Sequence, residues 1–275
     1  KYINICKDKL IDIIVIESIN DISSFITNSD VVVLHWWHNP VMARFLSEFP
    51  QVSIRMILWS HISGCTYPML KLEFVKIFQK TLFATKYTFD SPYWDDSEKE
   101  YLKQKADLVY GLGKLEFGKK LQKIDSDEFV IGYVGTLNYS KLHPEFVDYC
   151  KAVSAKIPKA YFVIVGNFED SVELLKDVKA SGIKDRFEFT GFVDDVDEQL
   201  ARFDVFASPL NSYHFGATEN AILEPMSKGI PVVCLNQGAE KYLIIDKQTG
   251  ILVNSIQEYA EAIEYLYNSP EERKR

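Results

Sequence analysis

The stretch from Asp204 to Leu235, DVFASPLNSYHFGATENAILEPMSKGIPVVCL, decides how the chain folds. Asp204–Pro209 is a short apolar run that reads as a strand. A loop with Tyr213, His214, Phe215, Gly216 and Ala217 follows. Thr218 is placed to cap a helix, and Glu219 falls in its first turn, where the helix dipole favours a negative charge. Gly229 is placed to stop that helix in a left-handed turn. Pro231 then opens a second buried strand, Val232–Leu235. Strand, loop, helix and strand within about thirty residues make a βαβ unit. In open parallel sheets, ligands bind where strand carboxyl ends meet helix amino ends. His214, Glu219, Asn220 and Glu224 all lie at or near that edge.

Working outward, the flanking sequence repeats the pattern. Phe129–Val134, Ala160–Val165 and Arg186–Thr190 read as strands, each followed by glycine: Gly135, Gly166 and Gly191. Pro144–Lys156, Ser171–Ala180 and Val196–Arg202 read as helices between them, with Pro144 at a tolerated first-turn position. Ile251–Val253 and the helix Ile256–Tyr267 close a doubly wound unit. Towards the amino terminus, Ile11–Ile16, Val31–Leu34, Ile54–Trp59, Thr81–Ala84 and Asp107–Tyr110 read as strands. Val41–Glu48 and Met69–Phe78 read as helices. Gly111–Asp127 is polar and glycine-containing and reads as a connection. The organisation is therefore an α/β chain of two Rossmann-like domains, residues 1–117 and 128–275, joined by a linker at 118–127. The spacing Gly111, Gly113, Gly118 is not that of the dinucleotide fingerprint.

Composition limits what such a chain does. It has 275 residues, 47% of them hydrophobic, and a formal net charge of −8, which argues against a nucleic-acid partner. No apolar run reaches membrane-spanning length. Cys6, Cys65, Cys150 and Cys234 lack metal-ligand spacing and read as free thiols of a reducing compartment.

Several residues point to chemistry. Glycines at three strand ends would let a ligand approach the backbone closely, although glycine also serves to make a turn. Lys141 lies between Gly135 and a helix start, suited to a diphosphate or else a solvated loop lysine. Glu224 sits among Ala221, Ile222, Leu223 and Met226. It is either an exposed helix carboxylate or one that accepts hydrogen bonds from two ribose hydroxyls. Glu219 is a weaker candidate, since a first-turn glutamate often serves only the dipole. His61 follows a strand and faces the cleft. His35 and His38 are three apart but have no third metal ligand nearby, so the aromatic run His35-Trp-Trp-His38 suits stacking on a sugar or lipid instead. The acidic run Asp194, Asp195, Asp197 and Glu198 reads as a solvated helix start.

On these motifs the sequence resembles the retaining GT-B glycosyltransferases of group 1 (glycosyltransferase family 4). The resemblance rests on Gly132-Tyr-Val-Gly-Thr-Leu137 with Lys141 downstream, Phe162-Val-Ile-Val-Gly166, Phe189-Thr-Gly-Phe-Val193, Phe215-Gly216, Asn220-Ala-Ile-Leu-Glu-Pro-Met226 and Gly229-Ile-Pro-Val-Val233. It implies two Rossmann-like domains facing across a cleft, a nucleoside-diphosphate sugar held by the second, and a glycan, lipid-linked or small-molecule acceptor held by the first. It further implies that Lys141, with Gly135 and Thr136, meets the diphosphate, Glu224 the ribose, and Gly166 and Val193 the base. The loop His214, Phe215, Gly216, Ala217, Thr218 with Glu219 would surround the sugar, and His61 would lie near the reacting centre. His61, Glu219 and Lys141 are then the candidate catalytic residues. No cofactor or metal is expected.

Thr136 stands where the family often has arginine, and counting back for the usual paired glutamate of Glu224 reaches Gly216, with Glu219 closer. The family's opening strand with its glycine-rich loop and its long closing helix are not seen, so the chain reads as incomplete at both ends. The expected protein is cytoplasmic, with peripheral association to the inner face of the membrane as an open alternative. An inactive sugar-nucleotide-binding subunit and a nucleotide-sugar epimerase of the same fold are the competing readings.

Overall fold

The structure, a computed structural model, describes residues 6, 8–9, 11–14, 19–49, 52–67, 69–113, 115, 121–169 and 171–274. Two all-parallel sheets carry it. The first has four strands in sequential order, β1 (Val31–Trp36), β2 (Arg55–Ser60), β3 (Lys80–Phe83) and β4 (Ala106–Leu108). The second has six: β5 (Phe129–Val134), β6 (Ala160–Val165), β7 (Phe187–Gly191), β8 (Val205–Ser208), β9 (Val232–Leu235) and β10 (Ile251–Val253). Their spatial order is β10-β9-β8-β5-β6-β7. The chain runs outward from β5 to β7, returns to the centre at β8, and runs outward again to β10. The reversal falls between β5 and β8, the switch point at which open parallel sheets bind ligands.

Strands β5, β6, β8 and β9 are apolar along their length because helices cover both faces. One face packs on the helices Phe146–Lys156 and Ile256–Asn268, with Tyr133, Phe146, Val153, Tyr259 and Ile263 at its centre. The other packs on Leu200, Phe203, Ile222 and Ile244. Helix Ile256–Asn268 begins where the Ser255 hydroxyl accepts from the Glu258 amide at 3.1 Å. Gly132, mid-β5, has the Phe203 ring laid over it; a Cβ there would meet Phe203 Cδ2 at 2.1 Å.

The first sheet is covered less evenly. Leu34 and Trp36 of β1 are buried, whereas Val31 and Val33, each 44% exposed, alternate with them on this edge strand. The strand expected at Ile11–Ile16 does not form over Ile11–Ile14, which have no strand partner, and Val15 and Ile16 lie outside the described residues. The helix expected over Met69–Phe78 shrinks to Leu72–Val75. Gln79 explains the shortening: its amide donates to Met56 O at 3.0 Å and its side-chain oxygen accepts from Met56 N at 2.6 Å, drawing the chain into β3. Helix Asp96–Lys105 is a further element, started by a reciprocal capping box between Asp95 and Glu98 that is plain in the sequence. Among the described residues no helix is long and apolar enough to cross a membrane.

The contact at Gly132 makes a direct prediction. Gly132→Ala overpacks β5 against Phe203 and should destabilise the protein by about 1–3 kcal/mol. Urea unfolding should show a lowered midpoint with unchanged slope. An unchanged midpoint would contradict this packing.

Candidate functional site

The carboxyl ends of β5, β6 and β7 open onto a cavity of about 490 Å³. Four residues singled out in the sequence, Gly135, Thr136, Gly166 and Val193, line it together with Leu137, Asn138, Phe192 and Val196. The backbones approach closely here: a Cβ on Gly166 would lie 2.1 Å from the Gly135 carbonyl oxygen. A larger hollow of about 1030 Å³ lies beside β9 and β10, with Leu223, Met226, Pro231 and Tyr265 in its wall. It is lined mostly by apolar side chains and holds none of the candidate residues, so its size does not make it the site.

Lys141 closes one side of the edge. Its carbonyl accepts from Asn211 N at 2.8 Å and Leu142 bridges Leu210, so the loop after β5 is tied to the loop after β8. The Lys141 ammonium meets Glu219 Oε1 at 2.7 Å, both side chains being largely buried. Glu219 occupies the capping position of helix Asn220–Ser227 rather than its first turn. Its carboxylate lies where a side chain on residue 216 would be: a Cβ on Gly216 would fall 1.7 Å from Glu219 Oε1. Glycine at 216 is therefore what admits the pair.

His214 turns inward, with its side chain 2% exposed. The Gly216 amide donates to its Nδ1 at 3.0 Å, so that nitrogen is the acceptor and the proton sits on Nε2. Nε2 in turn meets Glu240 Oε1 at 2.7 Å. Glu240 is buried, and among the described residues its other oxygen has no hydrogen-bond partner. The charged groups Lys141, Glu219 and Glu240 thus converge with His214 behind the loop. Burial, followed by Glu240 and Glu219, holds the Cys234 thiol well above its usual range, as expected of an inert buried thiol. Cys65 is likewise pushed up by burial, to about 11.

Thr218 does not cap the helix. Its hydroxyl donates to Ala84 O at 2.6 Å and accepts from Gly111 N at 3.1 Å, both in the first sheet's half of the chain. Asn220 joins it, accepting from Gly113 N at 3.0 Å and donating to Gly111 O at 3.2 Å. Ser63 N donates to Phe215 O at 3.0 Å, and the Thr66 hydroxyl to His214 O at 3.1 Å. The loop 214–220 is therefore a strap across the two halves. Glu224 lies one turn further on, half-buried; burial, then Asp197, raises its pKa, while Lys228 opposes.

His61 sits at the end of β2, opposite the strap. Trp37 stacks on its ring at 4.5 Å and Trp59 packs at 5.1 Å, while His35 Nδ1 meets its Nε2 at 2.8 Å. His38 lies edge-on to Trp36 instead, so the two histidines of the run His35–His38 do not converge. Sequence reasoning missed Glu240, placed Asn220 at this edge without a role, and gave His35 only to the stacking run. Glu240 carried one faint signal, a carboxylate just past a buried strand and beside Gly238; the partners of the other two are set by tertiary structure alone.

The family model described as "Glycosyl transferases group 1" matches residues 116–275. The chain is 30% identical over 114 residues to the lipopolysaccharide core biosynthesis glycosyltransferase LpsE of Rhizobium meliloti, covering 41% of this chain and 33% of the relative. It is 28% identical over 153 residues to the alpha-D-kanosaminyltransferase of Streptomyces kanamyceticus, covering 54% of this chain and 39% of the relative. The matched stretches thus span well under half of those relatives. Among solved structures, a Rickettsia africae glycosyltransferase superposes with a TM-score of 0.74 at 14% identity, over 99% of this chain and 79% of that one. Anabaena HepE in complex with UDP superposes with a TM-score of 0.68 at 16% identity, over 93% of this chain and 74% of that one. These likenesses show the fold as GT-B.

Glu240→Ala tests the inward network. It leaves the buried His214 Nε2–H unpaired and should destabilise by about 1–3 kcal/mol. The Gly216 amide, whose acceptor His214 then loses its anchor, should exchange faster with deuterium. Unchanged exchange at Gly216 would show that Glu240 does not hold the loop.

Proposed function

Because the chain belongs to the group 1 glycosyl transferases, we propose that it moves a sugar from a nucleoside diphosphate to an acceptor hydroxyl with retention of anomeric configuration. The observation that carries this reading is the Lys141–Glu219 pair at 2.7 Å. It joins the loops after β5 and β8 at the switch point of the second sheet, whose carboxyl edge also carries the 490 Å³ cavity. The base would enter that cavity between Gly166 and Val193, with Glu224 accepting from the ribose hydroxyls. The diphosphate would lie over Gly135 and Thr136 and meet Lys141. The relatives named as a lipopolysaccharide core biosynthesis glycosyltransferase and an alpha-D-kanosaminyltransferase, and the UDP in complex with HepE, support a sugar-nucleotide donor.

In this reading no metal is required. Charge developing on the departing diphosphate is offset by the Lys141 ammonium and by backbone N–H groups. Glu219 meets the Lys141 ammonium at 2.7 Å and competes with that anion for it. When the diphosphate takes the lysine, Glu219 is released toward the sugar, whose hydroxyls it can accept from. His61, on the first sheet's side, accepts a hydrogen bond from the acceptor hydroxyl and orients its lone pair. The acceptor is a glycan, a lipid-linked sugar or a small molecule. Peripheral association with a membrane belongs to the same proposal: helix Pro40–Ser47 has no buried residue, and Val41 is 78% exposed. Co-sedimentation with anionic lipid vesicles, lost in Val41→Asp, checks it; equal recovery of wild type and variant in the pellet would count against it.

Incubation with nucleotide sugars, with and without chelator, tests the activity; turnover abolished by chelator would contradict the metal-free account. Two variants test its geometry. Lys141→Met should lose about tenfold or more in affinity for nucleoside diphosphate, since hydrogen bonds to charged groups contribute about 1.5–3 kcal/mol each. Glu219→Gln should bind nucleoside diphosphate more tightly than wild type, because the lysine is freed, yet transfer sugar more slowly. Weaker binding by Glu219→Gln would contradict its role as a competing anion.

A further inference from the structure

The side chains around His61 form an arrangement that the donor site does not account for. His35 Nδ1 and His61 Nε2 are 2.8 Å apart, while the ring centroids are 5.1 Å apart with their planes 10° off parallel. The centroids stand much further apart than the two nitrogens, so the rings meet end to end through a hydrogen bond rather than face to face. Trp37 covers one side of His61 with its plane only 8° off parallel. Trp59 packs against both imidazoles, 5.1 Å from each, and its own Nε1–H is tied to Val109 O at 3.3 Å. The other nitrogen of His61, Nδ1, faces the hinge: a Cβ on Gly111 would stand 3.2 Å from it. Gly111 is the residue that Thr218 and Asn220 hold from the strap.

Only one hydrogen fits between two nitrogens at this distance. The pair therefore takes up one extra proton between its two rings, not two. A second positive charge beside the first would be opposed by like-charge repulsion.

We infer that His35 is a positioning residue for His61: their hydrogen bond makes one dyad of two imidazoles, in which His35 fixes the plane of the His61 ring. With the bridging hydrogen on His61 Nε2 and His35 Nδ1 accepting it, His61 Nδ1 retains the lone pair that accepts a hydrogen bond from the acceptor hydroxyl. That last clause rests on the glycosyltransferase reading; the dyad itself does not.

The surroundings agree. Burial, followed by the charge of His35, lowers the pKa of His61. Other ionisable groups on the elements packed here are engaged elsewhere or set aside from the ring. His38 lies edge-on to Trp36, Lys86 beyond β3 pairs with Asp90 at 3.9 Å, and Tyr110 precedes the hinge. Among the described residues no carboxylate shifts His61, so His35 is the one charged group that acts on it beside burial.

The test combines a spectroscopic titration with a rate profile. Histidine ring signals of the full chain are followed by NMR against pH in wild type, His35→Phe and His35→Gln. Phenylalanine keeps a flat ring against Trp59 but carries no nitrogen; glutamine keeps a hydrogen-bonding group but no titrating charge. In wild type the His35 and His61 signals should move together as one coupled pair. In His35→Phe, His61 should titrate alone and at higher pH. Where a nucleotide sugar is turned over, the acid limb of the rate profile should move to higher pH in His35→Phe. Its kcat should fall about tenfold to a hundredfold, as expected of a misplaced group, with KM for the donor unchanged. His35→Gln should recover much of the rate without recovering the position of the limb. His61 titrating identically in wild type and His35→Phe would overturn the dyad. Coupled titration in a protein that turns over no nucleotide sugar would uphold the dyad and remove the activity instead.

Discussion

The ion pair between Lys141 and Glu219 sets the terms for the rest of the structure. Both groups are drawn largely out of water at 2.7 Å, and neither is easily left there without the other. A pair of this kind contributes little net stability compared with apolar residues of the same size. What it secures is position. Lys141 comes from the loop after β5, Glu219 from the loop after β8, and their contact holds the two loops on either side of the sheet's switch point. Gly216 follows from the pair, because a side chain there would occupy the carboxylate's place. His214 and Glu240 follow from Gly216, whose amide His214 accepts. One electrostatic demand therefore fixes the backbone from residue 214 to 219.

A loop fixed on its inner side can bear contacts on its outer side. The strap uses its carbonyls at His214 and Phe215 and its side chains at Thr218 and Asn220 to hold Ser63, Thr66, Ala84, Gly111 and Gly113. These bonds are polar and short-range, and interfaces of this character permit relative motion of domains. Whatever rearranges Lys141 and Glu219 is thereby felt at the carboxyl edge of the first sheet, where His61 lies. The route is physical and short: one loop belongs to both places.

Much of this was legible in the residues. The second sheet follows from apolar runs of strand length ended by glycine, because a doubly covered parallel strand has no polar face. The helix stop at Gly229 is written in its left-handed conformation. The first sheet was less legible. Its segments are short, and Gln79 reaches across to Met56 where periodicity suggests a continuing helix. Val31 and Val33 belong to an apolar run yet stand half open on an edge. At the site, Gly135, Thr136, Gly166 and Val193 come together as their places after strands imply. Thr218 does not do what its type suggests. A hydroxyl before a helix serves as a cap when nothing stronger competes, and here a carbonyl and an amide from the other sheet compete. Asn220 and His35 carry no local pattern for their roles, and Glu240 only a faint one, because each acquires its role from a partner distant in sequence.

The central claim is that the loop whose Glu219 holds Lys141, the lysine proposed to meet the donor diphosphate, also grips the first sheet. Residue-resolved hydrogen exchange, with and without saturating nucleoside diphosphate, tests it directly. The amides of Gly216, Ser63 and Gly111 donate to His214, Phe215 and Thr218 respectively. The account predicts that ligand changes the protection of all three together. A change confined to Gly216 and the second sheet, with Ser63 and Gly111 exchanging as before, would contradict it.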